Sequence, residues 1–288
     1  LCAILLLTLL ANRQAADDAL QGVWSSASQH WLVRHETFEP LVATAGFAIA
    51  INAWRLVDRF HIIPDRYRLD VRSGGQESKD GGAEKGGGIS SMQFTITVAA
   101  YLLPLAVFDS VFARRKLPEQ APTCFGVLAG VLCSLITYDF LFFWLHCAMH
   151  KASTITRGGS FSGAAHFLRK SHREHHAKTG PLHAGEVVRH SLVDGSLQVV
   201  CNIVALNLLR LHPLTRCFHN VVITYLLTEC HSGFDCPWMP HRVLPGGVLG
   251  GSPRHEEHHR VGNRFFQQFG TWLDDSEQLS RWLSRRLC

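Results

Sequence analysis

The chain has 288 residues and a formal net charge of +5 with histidine neutral, and 47% of its residues are hydrophobic against 18% charged. Typical soluble domains carry roughly 25% charged residues, so this composition favours a membrane protein. The modest positive charge does not indicate nucleic-acid binding. The nine cysteines lack CxxC spacing, so a disulfide scaffold is not indicated either.

Apolar segments of helical length run through the chain. A bilayer core requires about 20 mostly apolar residues in a helix, and 92–113 and 124–145 both meet this requirement. Residues 38–54 form a weaker candidate, while 197–209 and 217–228 are shorter and predict a helical pair that is re-entrant or deeply buried. The alternative is that all five are buried helices of a soluble protein. We predict an all-α integral membrane bundle of about four spans or re-entrant pairs.

Two glycine- and serine-rich segments interrupt these helices. Residues 72–91 are typical of a flexible loop and divide the chain into N-terminal apolar segments (1–91) and a membrane-embedded domain (92–288). A second insert, 152–165, separates two groups of histidines. The apolar residues 1–11 are too few to distinguish a signal remnant from part of an earlier span.

Lysine and arginine cluster beside the histidines. Because these residues favour the cytosolic side of a membrane, we predict that a histidine-rich helical cap faces the cytosol. The basic triplet Arg114, Arg115 and Lys116 would then lie on the opposite side, which leaves the topology open. The basic residues beside the histidines are Lys151, Arg157, Arg169, Lys170, Arg173 and Lys178.

The histidines form three patterns: LHCAMHK at 145–151, HREHH at 172–176 and HEEHH at 255–259. Residues three and four apart share a face of a helix, so we expect His172 to point with both His175 and His176. Neutral imidazole binds first-row metals, and so many imidazoles exceed the coordination of one ion. The sequence therefore predicts two metal ions. The candidate ligands are His146, His150, His172, His175, His176, His255, His258 and His259.

The histidine patterns differ from those of several known kinds of metal site. A structural zinc site is closed by four ligands and usually draws on cysteine, and a zincin helix reads HExxH with the glutamate as base, a position that is arginine in HREHH. Soluble di-iron bundles use carboxylates with ExxH motifs, whereas this ligand set is almost entirely histidine. Glu174 and Glu256 are predicted to lie on the solvated faces of their helices. Such a site at a membrane face indicates oxygen chemistry on a lipid.

The three patterns, in this order after a long apolar helix, resemble the histidine boxes of the membrane fatty acid hydroxylase and sterol desaturase superfamily. Residues 212–245, notably HPLT, HSG, PW and HR, are similar to the cholesterol 25-hydroxylases of that superfamily. The resemblance extends from about Asp139 to Asp274. It implies a non-haem di-iron centre held by the eight box histidines, with His231 of HSG and His241 of PHR as further ligands.

The resemblance also implies an activity and its partners. We expect a multi-pass protein of the endoplasmic reticulum membrane that uses O2 to hydroxylate a C–H bond of a sterol or another lipid. No GxGxxG fingerprint for a flavin or nicotinamide is present, so the electrons must come from another protein. The family implies cytochrome b5 and its reductase as donors.

Asp139 precedes His146 by seven residues and therefore lies on the same helical face, within an apolar run. Because a buried carboxylate needs a partner, we predict that it orients a ligand imidazole. The chain departs from the family pattern at Phe265, where relatives have asparagine, and at Trp272, which lies one place early. Residues 193–198 (VDGSLQ) resemble the C5 sterol desaturases, so a sterol desaturase or a sterol C4-methyl oxidase stays open.

Two functions outside this superfamily also stay open. A histidine-lined metal transporter would spread its histidines through the depth of the bilayer, whereas these gather at helix ends and in polar segments. A catalytically inactive membrane protein with a vestigial site is compatible with the atypical residues 260–288, although all eight box histidines are present.

Overall fold

The structure, a computed structural model, describes residues 12–72, 91–111, 116–155, 162–176, 182–262 and 264–274. These described residues form helices and no β-strand, with isolated bridges between Arg68 and Phe234 and between Leu249 and Gly270. The predicted all-α class is therefore confirmed. Most of the predicted loop at 72–91 and the apolar residues 1–11 lie outside the described residues.

The longer helices are labelled here in chain order. They are α1 (Arg13–Ala27), α2 (Phe38–Arg59), α3 (Ser91–Val111), α4 (Cys124–Ile155), α5 (Ser162–Arg173), α6 (Leu192–Leu208), α7 (Pro213–Cys230) and α8 (Gly251–Val261). Short helical segments lie between them at Trp31–Arg34, Asp65–Tyr67, Leu69–Arg72, Ala184–Val188, Pro240–Val243 and Pro245–Gly247.

Helices α2 and α4 expose much of their apolar surface. Helix α2 and the Cys124–His150 part of α4 are long and apolar enough to cross a membrane, yet only 17% and 28% of their apolar windows are buried. On α4 the exposed side chains recur every three or four residues, as on one face of a helix. A helix with such a face suits contact with lipid, and the predicted helical membrane protein is confirmed. The exposed α4 side chains are Phe125, Leu128, Leu132, Ile136, Phe140 and Trp144.

The other apolar helices are α3 and α6. The span predicted at 92–113 corresponds to α3, whose 21 residues also reach span length, with Pro104 inside the helix. Helix α6 is likewise apolar but has 17 residues. Helices α2, α3 and α4 therefore each have the length of a span, against about four predicted spans or re-entrant pairs. The segment 38–54, the weaker candidate by sequence, falls within α2.

The insert predicted at 152–165 is helical at both ends. Helix α4 continues to Ile155 and α5 begins at Ser162, while 156–161 lie outside the described residues. No proline interrupts this part of the sequence, so nothing in the chain forces α4 to end at the membrane surface. The extension carries His150 beyond the apolar run that predicted the span.

Helix α7 packs against α2, α4 and α8, while α6 packs against α3 and α4. Glycines allow close approach at two of these crossings. A Cβ atom on Gly46 would lie 2.5 Å from Oγ1 of Thr224, and one on Gly130 would lie 2.8 Å from Cγ2 of Thr215. Small residues at helix crossings are typical of membrane bundles, where van der Waals packing holds the helices together.

The histidine patterns meet at one end of this bundle. Helix α5 packs against α4 and α6, and α8 packs against α7. The C-terminal part of α4, the residues after α5, the C-terminus of α7 and α8 therefore converge. Beneath them lies an apolar core that includes Phe47, Tyr138, Phe142, Ile223 and Leu227.

Candidate metal centre

Nine histidines form two adjacent clusters. Within each cluster, the candidate ligand nitrogens all lie within 4.8 Å of one another. The five-histidine cluster contains His146, His150, His172, His176 and His258. The four-histidine cluster contains His175, His231, His255 and His259. The two clusters touch, because the rings of His176 and His259 are stacked with centroids 4.4 Å apart.

Each HxxHH pattern supplies both clusters. His172 and His176, four residues apart, belong to the five-histidine cluster, while His175 between them belongs to the other. In the second pattern the assignment is reversed: His255 and His259 join the four-histidine cluster and His258 joins the five. This differs from the expectation that His172 points with both His175 and His176. In α8 four residues are closer to one helical turn than three are, so His255 aligns with His259 and His258 diverges. In the first pattern α5 ends at Arg173, and His175 and His176 lie in the turn that follows it.

The Nε2 atoms stand at the distances expected between ligands of one ion. In the five-histidine cluster, Nε2 of His172 lies 3.1 Å from Nε2 of His146, of His150 and of His176. With metal–nitrogen bonds of 2.0–2.1 Å, neighbouring ligand nitrogens are about 2.9 Å apart in an octahedral site and about 3.4 Å apart in a tetrahedral one. The spacing therefore fits imidazoles around a common metal ion.

The four-histidine cluster has the same character. Nε2 of His255 lies 3.0 Å from Nε2 of His231 and 3.1 Å from Nε2 of His259. Nε2 of His231 lies 3.5 Å from Nε2 of His175. These separations also fall near the range set by metal–nitrogen bonds.

Backbone carbonyls fix the tautomers of four of these histidines. Nδ1 of His146 donates to the Phe266 carbonyl at 2.8 Å, and Nδ1 of His258 donates to the Arg264 carbonyl at 2.7 Å. In the other cluster, Nδ1 of His175 donates to the Arg189 carbonyl at 3.0 Å. Nδ1 of His231 donates to the Leu227 carbonyl at 2.7 Å. A carbonyl can only accept, so Nδ1 carries the proton and Nε2 presents a lone pair.

A carboxylate does the same for His172. Asp194, at the start of α6, places Oδ2 3.1 Å from Nδ1 of His172, and its side chain is fully buried. Asp194 is itself held by Nε2 of Gln198, which donates to Oδ1 at 3.2 Å. A carboxylate on the far nitrogen fixes a ligand imidazole and increases its basicity.

These tautomers test whether the residues suit a metal. Neutral His175 and His231, whose Nδ1 atoms both donate to carbonyls, present unprotonated Nε2 atoms to each other at 3.5 Å. Neither member of this pair can donate, so the contact is not a hydrogen bond and brings lone pairs together. A cation between them turns this repulsion into coordination, and the donor set therefore fits bound metal.

Burial keeps the imidazoles neutral. Loss of solvent lowers the pKa of His175 to about 4 and, with the neighbouring imidazoles, lowers that of His231 to about 3. Burial likewise lowers the pKa of His258 to about 3, and it lowers the pKa values of His255 and His259. Because a metal binds the unprotonated ring, these shifts leave the ligands ready for coordination at neutral pH.

Asp139 holds a loop beside the clusters rather than an imidazole. Its carboxylate accepts hydrogen bonds from the backbone N–H groups of Gln268, Phe269 and Gly270, each at 2.9 Å, and from Nε2 of Gln267 at 2.7 Å. From the sequence we predict that it orients a ligand imidazole. Asp139 instead fixes the segment 267–270. The carbonyl of the preceding residue, Phe266, accepts the hydrogen bond from Nδ1 of His146, so Asp139 acts on this ligand through the loop.

Asp274 was not singled out by the sequence, yet it holds the other end of this loop. Its Oδ1 accepts from the backbone N–H of Phe266 at 3.0 Å, and its Oδ2 accepts from that of Gln267 at 2.9 Å. The loop also places Phe265 in a left-handed conformation, with φ of 62°. Two carboxylates therefore position the carbonyl that fixes the tautomer of His146.

His241, a predicted ligand, lies outside both clusters. Its Nε2 is 3.0 Å from Oδ1 of Asp235 and its Nδ1 is 3.4 Å from Oε1 of Glu229, and both carboxylates are buried. Burial lowers the pKa of His241, but its contacts with the two carboxylates outweigh this and raise the pKa above the usual value. A ring held between two carboxylates is not presented to a metal, so the structure does not bring His241 to the site.

The two glutamates beside the histidines behave differently from each other. Glu174 is exposed, as expected for the solvated face. Glu256 is partly buried, and burial raises its pKa.

Asp194 was missed as a ligand partner because a single acidic residue at the start of an apolar helix does not reveal which imidazole it will meet.

The fatty acid hydroxylase family model matches residues 131–276, half of the chain. The chain belongs to the fatty acid hydroxylase family. All nine clustered histidines of this family member lie within the matched residues. The resemblance carried by the three histidine patterns is therefore confirmed.

The relatives found by comparison include sterol-modifying proteins. The chain is 33% identical over 159 residues to cholesterol 25-hydroxylase-like protein 1, member 2, of Danio rerio, covering 54% of this chain and 52% of that protein. It is 29% identical over 176 residues to cholesterol 25-hydroxylase of Mus musculus, covering 60% and 54%. It is 26% identical over 187 residues to a putative methylsterol monooxygenase of Dictyostelium discoideum, covering 64% of each.

The chain thus spans between about half and two thirds of the length of these curated relatives. No solved structure matches it.

Proposed function

We propose that this protein is a membrane-bound non-haem di-iron oxygenase that hydroxylates a C–H bond of a sterol or another lipid, using O2 and an external reductant. The observation that carries the proposal is the pair of adjacent histidine clusters, whose ligand nitrogens stand at the spacing set by one metal ion and include a pair, on His175 and His231, that cannot hydrogen bond to each other. Membership of the fatty acid hydroxylase family and similarity to proteins named cholesterol 25-hydroxylase support the lipid substrate.

Iron bound in the two clusters would supply the activation of O2 and the one-electron chemistry that an unactivated C–H bond requires. The five-histidine cluster would hold one ion and the four-histidine cluster the other. The hydrogen bonds at Nδ1 keep the rings from rotating, so the Nε2 lone pairs stay directed inward. The four-histidine cluster offers fewer protein ligands, which leaves more coordination positions for small molecules at that ion.

The chain also keeps bulk water from the clusters. A void of about 10 Å³ adjoins five of the histidines and is lined on its apolar side by Phe142, Val187 and Leu227. This volume is close to the least that one water molecule needs. A dry site strengthens electrostatic interactions and protects reactive species from side reactions.

The partners follow from the membrane setting. The span-length helices and the apolar face of α4 support delivery of the lipid from the bilayer. We place the protein in the endoplasmic reticulum membrane with the clusters toward the cytosol, because basic residues such as Arg169, Lys170 and Arg173 accompany the histidines. Cytochrome b5 and its reductase would then supply electrons from the cytosolic side.

A second candidate of the same chemistry is oxidation of a sterol C4-methyl group. The similarity to a putative methylsterol monooxygenase favours it. It differs from side-chain hydroxylation in the position of the carbon that must reach the clusters. A desaturase would remove two hydrogens and leave no new oxygen in the lipid.

The test is isotopic. Protein purified in detergent and loaded with iron(II) is given sterols, a cytochrome b5 reducing system and ¹⁸O2, and the sterols are analysed by mass spectrometry. One ¹⁸O atom in a sterol alcohol is expected, with the other leaving as water. An alkene without ¹⁸O identifies a desaturase. Absence of any oxidised lipid, together with metal movement across proteoliposomes, would favour the transporter instead.

A further inference from the structure

A partly open slot of about 60 Å³ runs between α2, α6 and α7, with Tyr138 of α4 on one side. Along α7 its walls extend from Arg216 to Leu227, eleven residues apart, which is about 16 Å along a helix axis. This length is comparable to that of an extended sterol. The slot therefore follows the long axis of the bundle rather than crossing it.

One end of the slot leads to the histidine clusters. Gln198 of α6 and Leu227 of α7 line both the slot and the void beside His172 and His231. Gln198 also donates to Asp194, the carboxylate that holds His172. A molecule filling the slot would end at these two residues, next to the proposed reaction site.

The middle of the slot is apolar. Phe47 of α2 and Ile203 and Ile223 on the facing helices contribute its walls, and all three are buried. Such a lining suits a hydrocarbon and provides the dispersion contacts that hold it.

The remote end is polar and partly exposed, because Glu39 and Arg216 lie in the first turns of α2 and α7. Nε of Arg216 donates to both carboxylate oxygens of Glu39, at 2.8 and 2.7 Å, and its Nη1 donates to Oδ1 of Asn207 at 3.3 Å. Nearer the middle, Nδ2 of Asn202 donates to Oδ1 of Asn220 at 3.3 Å. A few polar groups at one end of an apolar slot can fix the orientation of a ligand that carries one polar group.

The charges at this end favour a neutral head group. Glu39 neutralises Arg216 within hydrogen-bonding distance, so a fatty acid carboxylate would meet a carboxylate as well as the guanidinium. A hydroxyl group can both donate to and accept from the carboxylate, guanidinium and amide groups present there. The slot thus combines a neutral polar end, an apolar middle and an end beside the metal site.

We propose that this slot binds a hydroxylated lipid of the sterol class, with its hydroxyl near Arg216 and Asn220 and its hydrocarbon end at Gln198 and Leu227. The proposal rests on the proposed function for the identity of the reacting end. A sterol in the leaflet remote from the clusters already has its hydroxyl at the membrane surface and its hydrocarbon toward the midplane. The sterol would enter the slot laterally from the bilayer without inverting, and its ring system would push the walls of the slot apart.

Photo-crosslinking tests the location independently of turnover. A cholesterol analogue with a diazirine on its ring system is irradiated with the full-length protein in detergent, without reductant, and the labelled peptides are identified by mass spectrometry. Labels on α2, α6 and α7 within the slot are expected. Labels confined to other surfaces overturn the slot, even if the protein binds iron and oxidises a sterol. Labels in the slot of a protein that binds no metal would instead refute the di-iron function alone.

A matched pair of variants on α2 sharpens this test. Ala43 lines the slot, whereas Ala45, two residues along the helix, is exposed. Ala43→Phe fills the slot and is expected to reduce labelling by about tenfold, whereas Ala45→Phe leaves it within about twofold. Equal labelling of the two variants contradicts the proposal. The metal content of Ala43→Phe shows whether its histidine end has folded.

Competition on the unaltered chain decides the head group and does not depend on any variant folding. Cholesterol, its analogue lacking the 3-hydroxyl, and a long-chain fatty acid compete with the photoprobe. Cholesterol is expected to compete about tenfold better than either of the others, because a polar site rejects a ligand that leaves its groups unpaired. Equal competition by the deoxy analogue, or stronger competition by the fatty acid, overturns the assignment.

Discussion

Replacing Asp194 tests how the chain prepares one ligand for its metal. The Asp194 carboxylate is fully buried and lies 3.1 Å from Nδ1 of His172. In Asp194→Asn an amide oxygen can still accept this hydrogen bond, but the negative charge that increases the basicity of the imidazole is lost. Removal of such a partner costs about 10- to 100-fold in metal affinity. Asp194→Ala also leaves a buried N–H unpaired, at a further cost of about 1–3 kcal/mol.

The assay is anaerobic competition for iron(II) between the purified protein and a chromogenic chelator. Because His172 belongs to the five-histidine cluster, one ion per chain should be lost at low chelator concentration and the other retained. Asp18→Asn on exposed α1 makes the same chemical change away from the site and should leave both affinities unchanged. If Asp194→Ala holds both ions as tightly as the unaltered chain, the proposed role of the carboxylate is wrong.

Four further outcomes are expected. His175→Ala should insert into membranes normally but lose activity and the ion of the four-histidine cluster; full activity would remove His175 from the ligand set. His241→Gln should keep both ions, because this ring lies between two carboxylates, and a lost ion measured by mass spectrometry would contradict that placement. Asp139→Ala leaves four buried donors without their acceptor and should lower the free energy of unfolding by several times the ~1 kcal/mol of one hydrogen bond; an unchanged melting temperature would refute this. The metal-free protein should lose stability as the pH falls from about 6.5 toward 4, because His231 and His258 bind protons in the unfolded chain but stay neutral when buried in the folded one. The free energy of unfolding should fall by up to about 1.4 kcal/mol per pH unit for each group. A melting temperature independent of pH in this window would contradict the neutral clusters.

The helices were predictable where the apolar pattern was long and uninterrupted. The run at 124–145 became α4, but the helix continues to Ile155 because nothing in the following sequence stops it. The run at 38–54 looked weaker, since the sequence alone does not show that its helix begins at Phe38 and continues to Arg59. Which helices pack together was not predictable, because that depends on local contacts such as Gly46 against Thr224.

At the metal centre, sequence spacing identified groups that a helix brings together but not their final partners. The HxxHH patterns named six of the nine clustered histidines, yet the division of each pattern between two clusters depends on how two separate segments face each other. Both carboxylate assignments required tertiary structure. Asp139 shares a helical face with His146 but meets a loop 128 or more residues away, whereas Asp194, on another helix, meets His172.

His241 shows the limit of a motif-based assignment. The PHR motif resembles the family, but the buried carboxylates of Glu229 and Asp235 surround this imidazole instead of a metal. Those acidic residues are present in the sequence, but nothing in their spacing indicates that they converge on one histidine.

We propose that nine imidazoles hold two neighbouring ions. The most direct measurement is the metal content per chain of the protein purified in detergent after loading with iron(II), combined with X-ray absorption at the iron edge. We expect two irons per chain, nitrogen ligands at about 2.0–2.2 Å and a second iron as a neighbour. One iron per chain or none, or a first shell dominated by sulfur, would contradict it.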